Sequence, residues 1–204
     1  MKYTMTIIVA VVFAATLPNG ANAGVAEDKA ALAKEAAALA KVGAALAERE
    51  AALTSGRDKV NAAIARKDWV TVLKEAQPLA DKGDVEAQQI IGVIYSNGMG
   101  VTKDSGKAAI WYRKAAEQGH SKAQFALGQL YDYGEGVELN ATEAASWYLK
   151  AAKQGYEDAY YVMGYMYHAG SGVQKNMTEA IFWYRKAAKQ GNQDAIKILT
   201  NLGQ

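Results

Sequence analysis

Four segments of this chain begin at Gly83, Gly119, Gly155 and Gly191, an unbroken spacing of 36 residues. They open GDVEAQQIIGVIYSNGMGV, GHSKAQFALGQLYDYGEGV, GYEDAYYVMGYMYHAGSGV and GNQDAIKILTNLGQ, and the first three continue AAIWYRKAAEQ, AASWYLKAAKQ and AIFWYRKAAKQ. A period of this length means a structural unit that cannot bury its apolar face alone and stacks on copies of itself.

The punctuation inside each unit predicts two helices. In the first, Ala87, Ile91, Gly92 and Tyr95 form an apolar stripe, with a glycine where another helix can come close. This helix A should stop at Gly98, Gly134 and Gly170, each suited to the left-handed conformation that follows a helix end. Asp104, Asn140 and Asn176 then stand as N-caps of helix B. Asn140 with Glu143 and Asn176 with Glu179 have the spacing of capping boxes, whereas the first unit has Lys107 in the Glu position. Helix B carries Ala108, Trp111, Tyr112, Ala115 and Ala116, rings alternating with alanines so that one helix inserts where its neighbour is thin. With almost no linker between units, successive helices must turn back antiparallel.

The pattern A-x-x-x-x-G-x-x-Y-x-x-G-x-G-V, an Asp or Asn three residues on, then A-x-x-W-Y-x-K-A-A-x-Q-G, resembles the Sel-one-like repeat (SLR) of the tetratricopeptide superfamily. The resemblance covers residues 83–118, 119–154 and 155–190 as three full repeats and 191–204 as a C-terminal capping helix. Residues 58–82 resemble the simpler tetratricopeptide-like pair that precedes such arrays, with Pro78 expected to kink its second helix. The resemblance implies an all-α fold, a right-handed superhelical α-solenoid of antiparallel helix pairs, whose role is to scaffold protein contacts.

Residues 1–23 read as a cleaved signal peptide: Lys2, an apolar stretch from Ile7 to Ala15, and a small-residue site at Ala21-Asn22-Ala23. The stretch is well short of the ~20 residues a membrane span needs. The expected location is periplasmic, with secretion the alternative. The chain has no cysteine, hence no disulfide or thiolate metal site. In residues 24–57, Ala-rich and helical by composition, Leu32, Leu39, Leu46 and Leu53 recur every seventh residue. This spacing allows a homodimer through a coiled coil, but the complementary seam positions Ala36, Gly43, Glu50 and Arg57 are poor, which favours a helix lying along its own domain or standing as a stalk.

Charge argues against a nucleic-acid partner. Residues 24–82 hold ten basic and nine acidic side chains and residues 83–204 hold twelve of each, so neither half has the basic cluster that phosphate binding needs. His120 and His168, the two histidines, lie in different repeats without metal-ligand spacing and read as solvent-facing. The glycine loops follow a helix rather than a strand, unlike phosphate or dinucleotide loops. No residue is therefore assigned to catalysis, a cofactor or a metal.

In this superfamily helix A lines the concave wall. With Ile91, Gly92 and Tyr95 as the buried register, the expected protein-binding face comprises Gln89, Val93, Phe125, Gln129, Asp132, Tyr133, Tyr161, Tyr165 and His168. Phe125, Tyr133, Tyr161 and Tyr165 would form an aromatic strip with polar edges. Tyr160 is open to either packing between repeats or exposure. The expected function is an exported adaptor that binds a peptide, loop or domain of an envelope protein. A periplasmic immunity protein that neutralises a toxin is an alternative the family also implies. An enzyme acting on cell-wall or β-lactam substrates is a third, weakened by the absence of the cysteines that mark that branch.

Overall fold

The computed structural model describes residues 23–204, so the expected signal peptide lies outside the described residues. All regular structure within them is helical: α1 Ala23–Ala65, α2 Trp69–Asp81, α3 Val85–Asn97, α4 Ser105–Glu117, α5 Ser121–Tyr133, α6 Ala141–Lys153, α7 Asp158–Ala169, α8 Met177–Lys189 and α9 Gln193–Asn201. The chain divides into two units, residues 1–55 and 56–204, and the division falls inside α1. In the first unit the described part of α1 exposes Leu32, Leu39, Val42 and Leu46. In the second unit each helix from α2 onward packs against the next in chain order, which makes an all-α solenoid of helix pairs.

The two helices expected of each repeat and the C-terminal capping helix are present, whereas the first helix of the expected tetratricopeptide-like pair is the end of α1. The backbone of α1 is unbroken across 57/58, where the Ala-rich segment was expected to give way to the tetratricopeptide-like pair. Pro78 sits inside α2, which continues to Asp81. Gly98, Gly134 and Gly170 close α3, α5 and α7 with φ of 68°, 66° and 78°. Each left-handed turn returns the chain toward the helix it has just left.

Helix B begins as the cap residues require. Asp104 accepts from the backbone N–H of Lys107, Asn140 from those of Thr142 and Glu143, and Asn176 from those of Thr178 and Glu179. The reciprocal half of the capping box is replaced by a tertiary bond. The cap residues' own N–H groups donate to the carbonyls of Tyr95, Tyr131 and Tyr167 in the last turn of helix A. One bond thus caps helix B and fixes the angle of the pair.

The close approach expected at the helix A glycines is the centre of each pair. A β-carbon added at Gly92, Gly128 or Gly164 would lie 2.5, 2.8 or 2.5 Å from a ring carbon of Tyr112, Tyr148 or Tyr184. Each tyrosine therefore lies flat on the backbone of helix A. Around these rings the core is mostly alanine, with Ile91, Leu127 and Met163 fully buried. Trp147 belongs to one cluster formed by helix B of repeat one, with Ala108, Tyr112 and Ala115, and helix A of repeat two, with Ala123, Leu127 and Leu130, so the units share their core across the boundary.

A glutamine ladder also joins the repeats. Gln88 donates to the carbonyl of Ala80 and accepts from Gln118 at 2.8 Å; Gln124 donates to the carbonyl of Ala116 and accepts from Gln154 at 2.7 Å. Both inner glutamines are buried, and their amides are matched in full registry with a carbonyl on one side and an amide on the other. At the same register repeat three has Tyr160, which is buried and stacks on Trp183 with ring centroids 5.9 Å apart. Packing between helices is thus its role.

Candidate protein-binding face

Helix A turns one flank toward helix B and leaves the other free. Two columns of residues, four apart along the helix, occupy the free flank: Val93, Gln129 and Tyr165, then Asn97, Tyr133 and Ala169. Tyr133 is 68 % exposed and Tyr165 55 %, high values for tyrosines on helices that are otherwise committed to packing. Val93 is half-buried and Gln129 is exposed. Beside Tyr133 lies a cavity of about 210 Å³ between repeats one and two, lined by Ser96, Tyr112, Ala126, Gln129 and Leu130.

The other residues expected on this face sit deeper. Gln89 is buried at 8 % exposure, because its column faces the joint between repeats. Phe125, in the same column, packs against Tyr148 and Tyr156 with centroids 5.2 and 5.1 Å away. Tyr161, the third member, lies 5.9 Å from the Tyr184 ring. These side chains support the face from below. The aromatic strip therefore has two exposed rings, Tyr133 and Tyr165, and two half-buried ones, Phe125 and Tyr161.

Asp132 and His168 are half-buried and belong to a third column, Ser96, Asp132 and His168, that meets the tips of the helix B tyrosines. Burial pushes the Tyr112 hydroxyl up to about 12, with the Ser96 hydroxyl acting in the opposite direction. Burial raises Tyr148 further, and the carboxylate of Asp132 beside it adds to the effect. In repeat three burial pushes Tyr184 up to about 12, reinforced by Tyr161 and Tyr165. The His168 ring meets Tyr184 edge-on at 6.2 Å, and the Tyr184 hydroxyl is buried without a hydrogen-bond partner. All three phenols are neutral at ordinary pH and can only donate or accept hydrogen bonds. Among the described residues no group of three His, Asp or Glu side chains is placed to hold a metal ion, and no helix is long and apolar enough to cross a membrane.

Sequence reasoning did not find the pairing of the third column with the tyrosine tips, nor the role of His120. That ring is mostly buried rather than solvent-facing: Nδ1 accepts from the backbone N–H of Ala123 and Nε2 lies 3.3 Å from Glu86 Oε1. It caps α5, as Asp84 and Asn192 cap α3 and α9 at the same register. That register, directly after the glycine that opens each unit, was the available signal.

The Sel1 repeat family matches the chain three times, over residues 85–120, 121–156 and 157–192. The chain belongs to the Sel1 repeat family. The matches recur at the 36-residue period of the sequence, each beginning two residues after Gly83, Gly119 or Gly155. Sel1 repeat proteins are protein-interaction scaffolds. Among solved structures, a Sel1 repeat protein from Oxalobacter formigenes is 40 % identical with a TM-score of 0.63, over 67 % of this chain and 56 % of that one. A protective antigen present in uropathogenic Escherichia coli strains, displaying an SLR fold, is 34 % identical with a TM-score of 0.68, over 80 % of this chain and 36 % of that one. The chain thus spans little more than half of the first and about a third of the second. The comparison with curated proteins gives no match.

Proposed function

We propose that this Sel1 repeat chain is an exported, non-catalytic adaptor that binds a peptide, loop or domain of a cell-envelope protein on the free flank of its A helices. The observation that carries this reading is the exposure of Tyr133 and Tyr165 at neighbouring positions of the A helices on adjacent repeats; the other exposed ring among the described residues, Phe182, lies on helix B. Tyrosine offers wide contact area at low entropy cost and a hydroxyl for orientation, which is why it is enriched at binding hot spots. The cavity beside Tyr133 is lined by Ser96, Gln129 and Glu135 as well as Ala126 and Leu130, which suits a small polar side chain of a partner. Export is supported by the Lys2, Ile7–Ala15 and Ala21-Asn22-Ala23 pattern, and mature chain beginning at Gly24 in a periplasmic fraction would test it directly.

The face is tested by placing a photo-crosslinking amino acid at Tyr133 or Tyr165 in living cells, with Ile110 as an exposed control on helix B. One envelope protein is expected from the first two positions and not from the third. Tyr133→Ala with Tyr165→Ala should weaken that contact by a factor of about 30 or more, the effect of losing a hot-spot side chain. With the crosslinking amino acid placed at the exposed Gln129 between them, an unchanged crosslink in the double variant would rule out this face.

A further inference from the structure

The large apolar side chains exposed on the described part of α1 within the first unit are Leu32, Leu39, Val42 and Leu46, at 48, 50, 57 and 53 % exposure. Spacings of seven, three and four residues put them on one face of the helix. Ala36 and Gly43 lie on the same face between the leucines. A parallel pair in register would set Ala36 on Ala36, Gly43 on Gly43 and Glu50 on Glu50. It would combine two voids with a like-charge contact, the poor seam already noted.

Reversing one helix changes every layer. We propose that α1 pairs antiparallel with α1 of a second copy, with the two-fold axis passing at Lys41. Leu46 of each copy then faces Ala36 of the other, and Leu39 faces Gly43, so that a large side chain meets a small one in the four central layers, while Leu32 lies level with Glu50 at either end, where the carboxylate reaches water. Val42 meets Val42 beside the axis. Glu35 and Arg49, both exposed in the single chain, come within about two residues of axial level, roughly 3 Å of rise, and form an ion pair twice across the seam. The opposite flank carries Ala33, Ala40 and Ala47, which lets the helices approach to ~8 Å. A parallel pair sets Glu35 against Ala40 and Arg49 against Thr54, so charge as well as size selects the antiparallel one. The dimer presents two solenoids to a partner, a bivalent arrangement.

The test uses the full chain, whose lack of cysteine makes introduced thiols unambiguous. Sedimentation equilibrium should give twice the chain mass, and Leu39→Lys with Leu46→Lys should halve it while the helical circular dichroism is kept. Under mild oxidation Val42→Cys should crosslink to itself, Leu46→Cys should not, and a mixture of Ala36→Cys and Leu46→Cys chains should crosslink to each other. A monomeric mass at every accessible concentration overturns the dimer. Self-crosslinking of Leu46→Cys overturns the antiparallel arrangement.

Discussion

Gly172 shows how single atoms set the spacing between repeats. Its φ is 67°, and an added β-carbon would lie 2.0 Å from the carbonyl oxygen of Ala141 at the start of α6. The obstacle is backbone, so no change of rotamer relieves it. Gly172→Ala is expected to cost the left-handed penalty of ~1–2 kcal/mol and a packing penalty of ~1–3 kcal/mol. Gly155, at φ 90°, has only the Tyr160 hydroxyl within reach of such a carbon, at 3.7 Å. Gly155→Ala should therefore show the first cost without the second. Urea denaturation of both variants makes the comparison, and equal midpoints would mean that the Gly172 loop is not held against α6.

At the scale of the element, helices are joined by bonds that no single helix contains. Gln124 is 4 % exposed and links the end of α4, through the Ala116 carbonyl, to the end of α6, through Gln154. Gln124→Met keeps the volume and removes both bonds, and is expected to cost ~1–3 kcal/mol. Gln154→Met removes one bond from an exposed side chain and should cost less. A double-mutant cycle should return a coupling of at least ~0.5 kcal/mol, as residues in contact do. Additive effects would show that the two amides hold their helices independently. The spacing between Gln88 and Gln118, or Gln124 and Gln154, is visible in the sequence, but hydrogen bonding over thirty residues has no local signature.

For the whole molecule, the helix B tyrosines tie stability to alkaline pH. Tyr112 and Tyr184 are pushed up to about 12 by burial, whereas an unfolded phenol ionises near 10. The unfolded chain thus binds fewer protons than the native one between pH 10 and 12, and stability must fall as pH rises through that window. Below pH 10 this contribution is fully present. Absorbance of tyrosinate should rise in two stages, the later one, from the buried helix B tyrosines, together with loss of helical circular dichroism. A single stage near pH 10 with the helices intact would contradict the packing of these rings on the helix A glycines.

The sequence by itself determined the helix pairs, their stops and caps, and the glycine that lets one helix rest on another, because each depends on neighbours within a turn or on a motif repeated every 36 residues. Helical periodicity also puts Tyr133 and Tyr165 on one flank of helix A. The tertiary structure decided which rings stay there. Phe125 and Tyr161 share the expected face, yet the packing of helix A on helix B turns them toward Tyr148 and Tyr184 of their own repeats, and the joint to repeat three brings Tyr156 onto Phe125. Burial of a side chain is set by the helix packed beside it, and that helix lies tens of residues away in the chain.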